Sequence, residues 1–430
     1  MSVAGKRLLI LGGTQASYDL VKTAREMGVY TIVTDDHEAG AAKAIAHETA
    51  AVSTADIEGL TALCREKKVD GVFCGPSEFN LQNVIRVCEK AGYPCYTDME
   101  TWDRCAKKDV FKQFCRDCGV DTPQQYSVSE AASREELEKI PYPVIVKPVD
   151  GSSSAGVTVC YGGEELRTAC AAAREMSVSG RIVVEQYIEN GGEIFTVRYL
   201  LRDGQAVPYL TMDDYIVDPV NRTSLISGYI VAPSKYTAYY MENMDASVRR
   251  LLQAMGLKNG TAFIQALPFE GKIYLMEMGF RLSGGMMFKV TQPLMGVNDM
   301  KMMIALALGE PMFTDEEVKS IDFFTNPRRA GQLTVPLNAG TIGRAEGLEA
   351  CRKMPGVTDV LTYYAVGDTV QDAAVGTLAQ LFCRFTLVAD SVEAMTALAE
   401  KIQHCLRIYD TDGNRMNTMQ TDFSRLQRKS

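Results

Sequence analysis

The chain has 430 residues, 46% hydrophobic and 23% charged, with a mean hydropathy of −0.07, room for roughly three domains at about 150 residues each and unlike a disordered or fibrous sequence. Its 45 Lys and Arg face 54 Asp and Glu, a formal net charge of −9, and the one dense basic stretch is terminal (Arg425, Arg428, Lys429), which argues against nucleic acid as a partner. No apolar run reaches the roughly 20 residues of a membrane span, and the opening apolar run is too short for a signal peptide, so a cytoplasmic protein is expected.

In chain order, residues 7–11 read as an apolar strand, residues 12–17 (GGTQAS) as a small-residue turn, and Tyr18, Leu20, Val21, Ala24 and Met27 as one helix face. A second strand over 30–33 leads to Asp35 and Asp36. A helix through Leu60, Leu63 and Cys64, a strand over 71–74 and a helix over 81–90 follow. This alternation predicts βαβ units and a parallel, Rossmann-like sheet. A glycine turn after one strand and an acid closing the next also fit a dinucleotide site, which keeps an NAD-binding oxidoreductase open as a reading. The turn lacks the third glycine of G-x-G-x-x-G, and glycines serving turn geometry alone are the simpler account.

A helix carrying Lys107, Lys108 and Asp109 is predicted to run to Gly119, with Pro123 beyond it. On its apolar face Cys115 and Cys118 form a C-x-x-C with no second pair at matching spacing, so they read as packed thiols rather than a metal or redox site. Residues 143–148 (PVIVKP) form a strand ending near Lys147, residues 150–156 (DGSSSAG) a loop, and residues 157–159 the return strand of a hairpin. Backbone N–H groups and hydroxyls in such a loop suit phosphate oxygens, although many such loops are plain connections. Strands over 182–189 and 194–201 flank the turn 190–193 (NGGE). A hairpin of 261–267 and 273–278 then carries Gln265 and Glu277 towards Arg281 and the turn 283–285 (SGG). A carboxylate, an amide and an arginine on neighbouring strands are what a Mg-nucleotide site requires.

The ordered set of Lys108, P-V-I-V-K-P, small-residue loop, V-E-Q-Y-I, G-G-E and M-E-M-G-F-R-L-S-G-G resembles the ATP-grasp ligases over residues 5–310. Within them it is most similar to the group of carbamoyl phosphate synthetase, biotin carboxylase and the amino-acid ligases. The resemblance implies a multidomain α/β and α+β architecture: a Rossmann-like unit over 1–100, an ATP-grasp unit over 101–319 and a small α+β unit over 320–430. It implies ATP and Mg²⁺, with Lys108 and Lys147 on the phosphates, Lys107 the neighbouring alternative to Lys108, and Ser152, Ser153 and Ser154 closing over them. Glu185 and the backbone of Tyr187 and Ile188 would read adenine, and Glu193 the ribose. Glu277 with Gln265 would hold the metal, and Arg281 with Lys147 would stabilise phosphoryl transfer.

Two positions depart from the family pattern: Gly279 replaces the asparagine of E-x-N-x-R, and Gln265 stands where an acid is usual. Asp213 and Asp214, read as following a strand that ends at Leu210, are either a further ligand or exposed turn acids. The implied reaction phosphorylates a small-molecule carboxylate to an acyl phosphate that an amine then attacks. None of the three histidines His37, His47 and His404 falls in the set, which argues against a Ser/His or Cys/His nucleophile. Ser77, Glu78, Phe79, residues 283–285 and Arg222 are candidate substrate linings. A nucleotide-binding protein without turnover is the second alternative, motivated by Gly279. For residues 320–430 the expectation is strands over 331–335, 357–363 and 379–388, helices over 345–353 and 391–406, and no chemistry-bearing cluster. A homodimer is the default assembly.

Overall fold

In a computed structural model of the chain, the structure describes residues 3–129, 131–150, 156–217, 226–319, 321 and 326–427. The first four strands, β1 (Arg7–Leu11), β2 (Tyr30–Thr34), β3 (Glu48–Ala50) and β4 (Gly71–Cys74), form a parallel sheet in the order β3-β2-β1-β4. Successive side chains of a strand point to opposite faces. Leu8 and Ile10 therefore meet Leu20, Val21 and Ala24 of the helix Tyr18–Glu26, while Leu9 and Leu11 meet Leu60, Val84 and Ile85. Burial on both faces is why β1 reads as an unbroken apolar run from Leu8 to Leu11.

A second, antiparallel sheet is built from β5 (Gln125–Tyr126), β6 (Val144–Pro148), β7 (Thr158–Cys160) and β8 (Ile182–Gln186) in the order β5-β8-β6-β7. Val144, Val146 and Val184 pack on Leu166, Ala169 and Ala173 of the helix Gly163–Met176. Alternation then turns Lys147 and Glu185 to the opposite face.

The remaining strands are β9 (Glu193–Arg202), β10 (Gln205–Ile216), β11 (Ser227–Ala232), β12 (Gly260–Phe269), β13 (Lys272–Gly279), β14 (Arg329–Pro336), β15 (Gly340–Glu346), β16 (Val357–Thr362), β17 (Thr369–Val370), β18 (Leu381–Ala389) and β19 (Arg407–Asp410). Eight of them form one antiparallel sheet in the order β13-β12-β9-β10-β11-β14-β18-β16, and β17-β15-β19 form a small one. The large sheet crosses positions 319–320 because β11 pairs with β14, Tyr229 opposite Leu333. Phe195, Val197 and Ile264 face the helix Asp245–Ala254. Met212 and Ile230 face the other way, towards the helices Phe288–Met295 and Asp299–Ala307. Lys289 ties three regions together, its ammonium 3.0 Å from Asp19 and 2.9 Å from Asp359.

Three sequence expectations are corrected. The helix around Lys108 is two helices, Met99–Ala106 and Lys108–Asp117, because Lys107 between them is extended. The helix expected over 345–353 is only Leu348–Arg352, since residues up to Glu346 pair as β15 with β19. Asp213 and Asp214 are not turn acids: β10 continues past Leu210 to Ile216, and both are buried. Among the described residues, no helix is long and apolar enough to cross a membrane.

Candidate active site

Lys147 and Glu185 lie diagonally on one face of the second sheet, where Val146 pairs with Val184 and Ile145 with Glu185. One Glu185 oxygen accepts from Lys147 Nζ at 2.5 Å; the other accepts from Lys112, which enters from the helix Lys108–Asp117. Burial opposes ionisation of Glu185, yet the Lys112 and Lys147 charges outweigh it and hold the carboxyl at about 2. Burial pushes the Lys112 ammonium below its usual range, with the Glu185 charge opposing. Two cations thus share one carboxylate, and the unmatched positive charge suits an anion at the more open Lys147 side. Lys112 escaped the sequence reading; its signal is a lysine one turn after Lys108, beside Phe111 and Cys115 on the buried face.

Lys108 opens that helix, and its ammonium lies 3.9 Å from Glu277 on β13. Glu277 pairs directly with Gln265 across β12, so both side chains share one face. The same row continues through Thr196 on β9 and Met212 on β10. Lys107 is turned instead to Asp103. The structure thus brings together Lys108, Gln265 and Glu277 on one side, and Lys112, Lys147 and Glu185 on the other.

Arg281 follows β13 and donates through Nη2 and Nε to Glu78 at 2.8 and 3.2 Å, and through Nη1 to the Leu282 carbonyl at 2.9 Å. Glu78 begins the helix Glu78–Ala91 above the first sheet, so this pair sets one of the candidate substrate linings against Arg281. Beneath the turn, the buried Arg198 donates to Ser283 Oγ and Tyr209 Oη, both at 2.9 Å, and to Asp299 at 3.2 Å. Phe263 lies opposite Gly279, with the Arg198 and Arg281 guanidiniums 5.6 and 5.3 Å from its ring centre. A Cβ at Gly279 would stand 2.4 Å from that ring, which gives the departure from asparagine a steric cause.

Glu193 belongs to a separate cluster: Lys235 is 2.8 Å from its carboxylate and the Tyr236 hydroxyl 3.5 Å away. Nearby Asp213 accepts from Ser234 Oγ at 2.5 Å and Lys235 N–H at 2.9 Å, while burial lifts its carboxyl to about 7. Asp214 shares the face of Gln265 but stands two strands and two residues away, about 12 Å at strand spacing. Ligand bonds to Mg²⁺ are about 2 Å long, so Asp214 does not complete that donor set. Just after β8, the Tyr187 N–H donates to the Pro143 carbonyl and the Ile188 carbonyl accepts from the Asn190 N–H. Ser152, Ser153, Ser154 and Arg222 lie outside the described residues.

At the acids of the dinucleotide reading, the Asp35 carboxylate accepts from the backbone N–H groups of Gly13 and His37, each at 2.9 Å, while Asp36 beside it is exposed. Cys115 is buried, and burial pushes its thiol up to about 12, in keeping with packing.

The chain is similar to several known proteins. Residues 107–314 match the family described as carbamoyl-phosphate synthase L chain, ATP binding domain. The chain is 23% identical over 391 residues to a formate-dependent phosphoribosylglycinamide formyltransferase of Sulfurisphaera tokodaii, covering 86% of this chain and 94% of that one. The Wolinella succinogenes protein of the same name is 22% identical, with coverages of 72% and 78%. An L-amino acid ligase from Bacillus licheniformis superposes with a TM-score of 0.77 at 21% identity over 95% of this chain and 99% of that one. The biotin carboxylase domain of Hydrogenobacter thermophilus 2-oxoglutarate carboxylase, in complex with MgADP, ADP and bicarbonate, gives 0.75 at 18% identity over 96% and 91%. Residues 107–314 thus carry the likeness to a carbamoyl-phosphate synthase L chain ATP-binding domain, and the solved structures share the fold of the whole chain.

Proposed function

We propose that the protein is an ATP-dependent ligase that phosphorylates a small-molecule carboxylate and passes the acyl group to an amine, releasing ADP and phosphate. The observation that carries this reading is the meeting of Lys108 with Glu277 at 3.9 Å, a phosphate-type cation beside a carboxylate that stands next to an amide. That donor set fits Mg²⁺, a hard cation that takes oxygen ligands from one or two carboxylates and leaves the rest to water and phosphates. Glu277 and Gln265 would hold it, and when bound it would neutralise charge on the phosphates. Lys108 and Lys147 orient the phosphate chain, Glu185 and the backbone of Tyr187 and Ile188 face adenine, and Glu193 serves the ribose. Arg281, fixed by Glu78, meets the charge that develops in transfer.

The proposal includes a Rossmann-like unit over 1–100, an ATP-grasp unit over 101–319 and an α+β unit over 320–430, the last sharing the large sheet through β14, β16 and β18. A cytoplasmic homodimer acting on small molecules completes it. The alternative of nucleotide binding without turnover is favoured by one feature, the Phe263 ring in the space of the family asparagine.

The test is ADP release from Mg-ATP with carboxylates and amines supplied singly and in pairs, with Glu277→Ala as blank. Turnover that needs a particular pair and vanishes in the blank is the expected result. ATP-induced stabilisation with equal silence in both proteins would favour binding without turnover.

A further inference from the structure

We propose that Arg384 and Gln332, on the C-terminal strands β18 and β14, anchor the substrate as a carboxylate with a neighbouring N–H donor, the chemistry of an amino acid. This rests on the ligase reading and names its substrate class. Arg384 is 8% exposed. A guanidinium carries five N–H donors, and the hydrogen bond seen here runs from Nη1 to the Gly284 carbonyl at 3.1 Å. No carboxylate of the described residues is within 4.0 Å of it. A buried cation without a counter-ion is unfavourable unless an anion completes it. Arg281, by contrast, is already held by Glu78. The Arg384 charge does act on Asp214, but from beyond ion-pair distance, and the Asp214 Oδ1 accepts from Ser227, so the remaining guanidinium N–H donors are left for a ligand.

Gln332 supplies the complementary half. It is 1% exposed, and its Nε2 donates to the Gly285 carbonyl at 2.7 Å, which fixes the amide orientation. Its Oε1 is buried with no partner, an acceptor that requires an N–H donor. Thr334 pairs with Arg384 and Gln332 with Thr386, which sets the two side chains on one face of adjacent strands. They hold consecutive carbonyls of the turn that follows Arg281. Gly284 is three residues from Arg281, at most about 10 Å of extended chain, so the anchor lies beside the phosphoryl-transfer residues. An amino acid satisfies both groups at once, its carboxylate on Arg384 and its ammonium on Gln332 Oε1.

The experiment measures ADP release and thermal shift with Mg-ATP and three ligand sets: amino acids, the same acids without the amino group, and amino-acid amides. Amino acids are expected to act at least tenfold more strongly than either analogue. Arg384→Met should raise the amino-acid KM at least 30-fold with the ATP KM within twofold, and Arg384→Lys should recover part of the loss. Gln332→Met should narrow the preference for amino acids over deaminated acids. An unchanged Mg-ATP thermal shift certifies the folding of each variant. Equal response to all three sets, no amino-acid response, or an unchanged KM in Arg384→Met overturns the anchor; loss of the Mg-ATP shift in the wild type strikes the ligase reading instead.

Discussion

Lys112 and Glu185, 73 positions apart, form an ion pair in which each side chain is 1% exposed. Lys147 adds a second cation to the same carboxylate, so the helix Lys108–Asp117 and the second sheet are joined at the place where ATP phosphates are proposed to lie. A buried pair of this kind is costly to leave half-made.

Glu185→Gln would leave two ammoniums without their carboxylate, with an expected loss of about 3–5 kcal/mol at pH 7. The carboxyl sits at about 2 in the folded chain against an ordinary 4.5. Its contribution is therefore complete above pH 4.5 and lost as pH falls towards 2. Urea unfolding at pH 7 and pH 3 measures it: the gap between wild type and variant should shrink at pH 3, and a gap independent of pH would refute the ion-pair account.

The ring of Phe263 fills the space beside Gly279. Gly279→Asn alone is expected to destabilise by about 1–3 kcal/mol, the usual cost of overpacking. Phe263→Ala in the same chain should relieve the clash, so the double variant is more stable than the two single effects predict. Additive losses in a double-mutant cycle would remove the steric explanation for the missing asparagine.

Asp214→Asn tests the buried acid on the sheet face. Burial raises its carboxyl from 3.8 to about 6, so the folded chain holds a proton that the unfolded chain releases. Stability falls as pH rises from 3.8 to about 6 and then levels, by about 3 kcal/mol at 1.36 kcal/mol per pH unit. The amide still accepts from Ser227 without that cost. Its melting temperature should exceed that of wild type at pH 7.5 and converge with it at pH 4. A difference equal at both pH values would show that Asp214 is ionised in the folded state.

Much of the local structure is legible in the residues themselves. Residues 8–11 are apolar without interruption and form most of a strand buried on both faces, and the turn of residues 12–13 follows from its glycines. Such features depend on near-neighbour sterics and burial, which a linear pattern records. The break at Lys107 was not legible, because the helical pattern runs through it; nor was the length of β10, whose acids look like turn residues until neighbouring strands bury them.

The order of motifs from Lys108 through Glu185 to Glu277 and Arg281, and the resemblance it carries, is readable from the residues, because residue type and chain order survive without coordinates. Partners came with the fold: Lys112 completes Glu185, Asp214 lies too far from Gln265 to share a metal, and Arg384 and Gln332 come under the turn after Arg281. Coulomb attraction and hydrogen bonding depend on distance in space and on burial, and strand register, not sequence separation, sets both.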